Sequence, residues 1–149
     1  MSGPPNTTNW RGFPTTLELR VLVRLVPAKG ACLPITADLR YDATDPLAVC
    51  MTLSTDAEES PPWFVSRDLL LSGQDELAGV GDVAVWPTRG PHGGRVCIAL
   101  HAADETAVLA APARSLRVFL ERTVAAVPPG TEYQYLDIDN VIGQLLREP

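Results

Sequence analysis

The chain has 149 residues, with 12 Lys+Arg against 18 Asp+Glu and a formal net charge of −6, which is enough length for one domain with a core and little for a second. At 46% hydrophobic and 20% charged residues it reads as globular rather than disordered, and its acidic balance argues against general nucleic-acid binding, because phosphate repels it. No apolar run approaches the roughly 20 residues that span a bilayer as a helix, Met1 to Thr16 lack the basic start and apolar stretch of a secretion signal, and the three widely spaced cysteines, Cys32, Cys50 and Cys97, suit reduced thiols in a cytosol.

Residues 1–16, with Pro4, Pro5, Gly12 and Pro14 and no period, are expected as a flexible tail ahead of a single domain over residues 17–149. From Leu17 the pattern changes. Leu17, Leu19, Val21, Val23 and Leu25 alternate with Glu18, Arg20, Leu22 and Arg24, the period of a half-buried strand. Pro27 and Gly30 turn the chain, and Ile35, Ala37, Leu39 and Tyr41 alternate in a second strand, the hairpin partner of the first. Their polar faces can pair Arg20 or Arg24 with Asp38. Ala48 to Ser54 is more apolar than the first two and predicts a third, more central strand. Asp56 to Pro62 is an acidic loop. Trp63, Val65 and Arg67 continue as a short strand, Asp68 to Ser72 as a helical turn ending at Gly73, and Gly79 and Gly81 flank a turn. Asp82 to Pro87 and Arg95 to Leu100 predict two strands joined by the glycine-rich segment Arg89 to Gly94.

The last third switches period. Pro112 suits a helix start, and Leu116, Phe119, Leu120, Val124 and Val127 share one helical face until Pro128, Pro129 and Gly130 end it. Tyr133 and Tyr135 predict a brief extended piece. Asp137 can cap a last helix whose stripe is Ile138, Val141, Ile142, Leu145 and Leu146. Strands first and helices last argue an α+β fold with antiparallel sheets and two C-terminal helices.

Candidate reactive groups fail on geometry. Cys97 and His101 are four apart in a strand-like segment, a span of about 13 Å, whereas a thiol–imidazole hydrogen bond needs roughly 3 Å. His92 sits at a hairpin tip without CxxC or HxxxH company, Asp137 and Asp139 read as helix-start acids, and Gly79-Val80-Gly81 lacks the third glycine of a dinucleotide loop. No catalytic, metal or cofactor-binding residue is therefore expected. A local basic face from Arg20, Arg24 and Arg40, with Trp10, Tyr41 or Trp86 stacking bases, keeps single-stranded nucleic-acid binding as the alternative function, though Glu18 and Asp38 interrupt that face.

Several segments in order and spacing resemble the SsgA-like proteins, actinobacterial regulators of sporulation-specific cell division, and most of all their SsgB-like branch. They are Leu39-Arg40-Tyr41-Asp42 with Asp45-Pro46, Arg67-Asp68-Leu69-Leu70 with Gly73, Gly81-Asp82-Val83 with Val85-Trp86-Pro87, Cys97 to Leu100, Ala111 to Arg114 with Phe119-Leu120, and Val127 to Glu132. The likeness spans about residues 17–147. It implies a non-enzymatic role at septum sites, recruitment of the tubulin-like division protein FtsZ with help from an SsgA-like paralogue, a whirly-like fold of two antiparallel sheets and packed helices, and a homo-oligomer, trimer or dimer. It also implies a cytoplasmic protein concentrated at the division septum that meets the membrane only indirectly, with no small-molecule substrate. A docking role needs an exposed apolar cluster ringed by polar groups. The candidates are the segment at Trp86 and Arg89 and the C-terminal stripe around Ile142 and Leu146.

Overall fold

The computed structural model describes residues 16–27, 29–91, 93–102 and 104–135; His92, Asp137, Asp139 and the stripe carrying Ile142 and Leu146 lie outside the described residues. The elements run β1 (Thr16–Pro27), β2 (Leu33–Asp42), β3 (Ala48–Ser54), β4 (Trp63–Ser66), α1 (Arg67–Gly73), β5 (Ala78–Val80), β6 (Val83–Thr88), β7 (Arg95–Ala102), β8 (Glu105–Pro112) and α2 (Ala113–Ala126), closing on a 3-10 helix at Glu132–Gln134. The expected α+β class with antiparallel pairing holds.

All eight strands join one sheet in the order β4-β3-β2-β1-β8-β7-β6-β5. The β1–β2 ladder is long, from Thr16–Asp42 to Leu25–Leu33, whereas β1 meets β8 only from Arg24–Ala110 to Pro27–Ala107. Two four-stranded wings therefore share one short seam. The two antiparallel sheets that the resemblance implies are the two wings, joined into one sheet by β8, which returns between β1 and β7.

Alternation in β1 and β2 sends Leu17, Val23, Ile35, Ala37, Leu39 and Tyr41 inward. They join Val49, Met51, Val65, Val85, Ile98 and Leu109 in one core that α2 covers with Leu116, Phe119 and Leu120. The fourth buried position of α2 is Thr123, not the expected Val124, because the 3.6-residue period drifts toward it and its hydroxyl donates to Leu120 O at 2.7 Å.

Four local expectations change. β3 is second from an edge rather than central. Its Cys50 lies between Arg40 and Phe64 in register, so neighbouring strands screen its outward side. The strand through Trp63 ends at Ser66, whose hydroxyl accepts the Leu69 N–H at 3.2 Å and starts α1 at Arg67. Tyr133 and Tyr135 sit in and just after a helical turn, with Gln134 N–H and Tyr135 N–H donating to Thr131 O and Glu132 O, so they are not extended. Pro112 ends β8 as the N-cap of α2 rather than lying in its first turn.

Candidate docking surface

The most heavily committed polar group is interior. Arg67 is completely buried, on the same alternating face as Trp63 and Val65, although its charge argues for the surface. As the first residue of α1 it reaches under the end of α2, where its Nη1 donates to Thr123 O at 3.0 Å and Val127 O at 2.7 Å. These are carbonyls at the C-terminal end of the helix, where the dipole favours a cation. Its Nη2 donates to Glu132 Oε2 at 2.8 Å, and Glu132 Oε1 accepts the Gly130 N–H at 2.8 Å. Gly130 holds φ +89°, a left-handed turn that suits glycine.

The Glu132 carboxyl lies below its ordinary pKa through its own backbone N–H, then the Arg67 guanidinium and the Gly130 N–H, against the cost of burial. The guanidinium carbon of Arg67 stands 5.2 Å from the Tyr41 ring centroid, and Tyr41 donates to Pro46 O at 2.9 Å. Burial above all pushes Tyr41 up to about 12. Both Arg67 terminal nitrogens are engaged within the chain, so this cluster clamps α1, α2 and the Gly130 turn together.

The outer face of the sheet is closed along its middle, where Ala110, Cys97 and Ala99 are buried, and opens toward its ends. The registers lay its side chains in rows: Arg24 beside Ala110, Ala110 beside Cys97, Cys97 beside Trp86. The next row is Val26, Val108, Ala99 and Ala84. Small side chains dominate these rows, with half-buried Trp86 at their β6 end and exposed Arg89 just beyond β6. Where β1 and β8 part, a groove of ≈ 390 Å³ opens, lined by Leu22, Arg24, Cys32, Pro34, Arg95 and Pro112 together with Val23. Leu22 is 64% exposed there. On the other wing the outer face is mixed in sign: Arg20 bonds Asp38 at 2.8 Å, with Glu18 and Arg40 opposite each other.

Of the expected docking residues, half-buried Trp86 lies in the outer-face row with Cys97 and exposed Arg89 follows the end of β6, whereas Ile142 and Leu146 fall outside the described residues. Sequence reasoning missed Arg95 and the groove, although the β1 alternation already put Leu22 and Arg24 on the outer face. The basic face expected for single-stranded nucleic acid is broken as foreseen, and Tyr41, 1% exposed, is no stacking platform. Cys97 is buried, and burial raises its thiol pKa. Exposed His101 bonds Thr106 Oγ1 through Nδ1 at 2.7 Å instead of meeting that thiol. Among the described residues no three His, Cys, Asp or Glu side chains converge on a metal position, and no helix is long and apolar enough to cross a membrane.

A family model described as "Streptomyces sporulation and cell division protein, SsgA" matches residues 35–132. The sporulation-specific cell division protein SsgB of Streptomyces coelicolor is 48% identical over 134 residues, covering 90% of this chain and 98% of its own. That of Salinispora tropica is 41% identical over 135 residues, covering 89% and 94%. Among solved structures, SsgB from a study of mutations that correlate with longitudinal cell division during sporulation of Streptomyces coelicolor superposes with a TM-score of 0.76 at 49% identity, covering 82% of this chain and 96% of that one. An SsgA-like sporulation-specific cell division protein from Thermobifida fusca also gives 0.76, at 33% identity and 87% and 95% coverage.

Proposed function

The chain belongs to the SsgA family, and from that membership we propose that it acts in sporulation-specific cell division as a non-enzymatic, oligomeric adaptor. In this reading it is cytoplasmic, gathers at future septa, and helps to position and recruit FtsZ together with an SsgA-like paralogue. The observation that carries the reading is the 48% identity to SsgB across 98% of that relative's length. The arrangement of the polar groups supports it. The buried cation is held by the fold, the imidazole of His101 bonds Thr106 and not the Cys97 thiol, and half-buried Trp86, exposed Arg89 and the groove beside Arg24 face water.

Co-sedimentation with FtsZ polymers tests recruitment. The protein is expected to pellet with filaments and to change their bundling; unchanged pelleting would remove direct recruitment from the proposal. Sedimentation equilibrium at micromolar concentration tests the assembly, with multiples of the 16.0 kDa chain expected and a clean 16.0 kDa species counting against an oligomer.

A further inference from the structure

We propose that the groove where β1 and β8 part docks an extended acidic peptide, its carboxylates held by Arg24 and Arg95 and an apolar side chain seated against Leu22 and Pro112. The proposal names the chemistry of the segment that the adaptor docks, and it rests on the adaptor reading for that segment's belonging to a division partner.

The groove exists because the seam ends. β8 pairs with β1 only from Arg24 onward, so Leu22 has no strand beside it on that side and a cleft of ≈ 390 Å³ remains. Its lining holds two arginines and no acid. Among the described residues the ion pairs are Arg20–Asp38 and Arg67–Glu132, and neither Arg24 nor Arg95 is paired with an acid there. Guanidinium forks match carboxylates in a bidentate fashion, and the aliphatic stems leave the floor apolar. A basic groove on a chain of net charge −6 is a complement to a short acidic ligand. The net charge of −6 disfavours a long polyanion, and no aromatic ring lines the groove to stack a base, which favours a short peptide over nucleic acid.

The test is fluorescence anisotropy at low salt on the full chain, with a short fluorescein-labelled peptide of alternating Asp and Leu as probe. An Asn–Leu peptide and oligothymidine serve as comparisons. The Asp–Leu peptide is expected to bind at least about tenfold more tightly than the Asn–Leu peptide, and to lose about tenfold in Arg24→Ala and in Arg95→Ala, as expected when a charge-assisted contact goes. Arg24→Lys is expected to restore part of the loss. Arg24 is exposed, so its variants keep the fold intact even if Arg95→Ala, half-buried, does not. Equal binding of the Asn–Leu peptide overturns the proposal. So does oligothymidine binding as tightly with the same arginine dependence, and so does a change in sedimentation of Arg24→Ala, which would make the groove a contact between copies. FtsZ co-pelleting on the same variants separates the two readings. Arginine-dependent peptide binding without co-pelleting leaves the groove and removes recruitment; co-pelleting without peptide binding does the reverse.

Discussion

A guanidinium with no exposed surface remains favourable only while its partners stay in place, because removing one partner strands charge in a low dielectric. Arg67 holds two carbonyls at the end of α2 and the Glu132 carboxylate. Arg67→Ala is therefore expected to cost about 3–5 kcal/mol in urea unfolding. Arg67→Lys should recover little, since one ammonium cannot span the three acceptors from the same stem. Glu132 supplies the pH signature. Its folded pKa is depressed, so its contribution is present above the unfolded value of about 4.3 and is lost as pH falls through the lower folded value. Stability of the parent chain is expected to decline through that acid window, and Glu132→Gln to flatten this part of the urea-midpoint profile while lowering stability at neutral pH. The alternation Trp63, Val65, Arg67 already turned Arg67 inward, but a charged residue reads as solvated, so its partners in the clamp were hidden. The other signal was that Arg67 and the Val127–Glu132 stretch both belong to the family resemblance.

Single elements lock together through close approach. Gly73 ends α1 against β6, and a Cβ there would overlap the Val85 side chain and stand 3.1 Å from Val85 O. Gly73→Ala is expected to cost about 1–3 kcal/mol, read as a lower thermal midpoint, because Val85 is itself fully buried and has nowhere to move. Ser66→Ala, at the other end of α1, removes the cap on Leu69 N and should cost about 1 kcal/mol by the same measurement. β1 and β2, each with one wet face, alternate cleanly, and their register delivers the foreseen Arg20–Asp38 pair; the buried run of β7 was legible through the glycine-rich turn that precedes it. β8 was not legible. It lies between β1 and β7, where Leu109, Ala110 and Ala111 are all buried, so its run Ala107 to Pro112 shows no alternation at all. β5 is three residues around Gly79, too short to carry a period. The groove was invisible for a related reason. It is made by where β8 stops pairing with β1, a property of the sheet and not of either segment.

At the scale of the whole molecule the question is whether two wings on a short seam unfold together. The seam alone is four register pairs. The core, however, runs through it without a break, from Leu39 and Val49 on one wing to Ile98 and Leu109 on the other. Two further links cross it. α1 leaves the first wing at Ser66 and packs on β6 and β5 of the second, and Arg67 ties that helix to α2, which lies over β1, β7 and β8. One cooperative transition is therefore expected. The three tryptophans make it measurable: Trp63 reports the first wing, Trp86 the second, and Trp10 can be replaced by phenylalanine. With one tryptophan left at a time, the two fluorescence transitions in urea should coincide with each other and with loss of far-UV dichroism. Leu109→Ala, 1% exposed and opposite Leu25 in the seam, should cost about 2–5 kcal/mol and lower both midpoints together. A Trp86 transition at clearly lower urea than that of Trp63 would instead mean that the wings are separate folding units and that the clamp at Arg67 does not couple them.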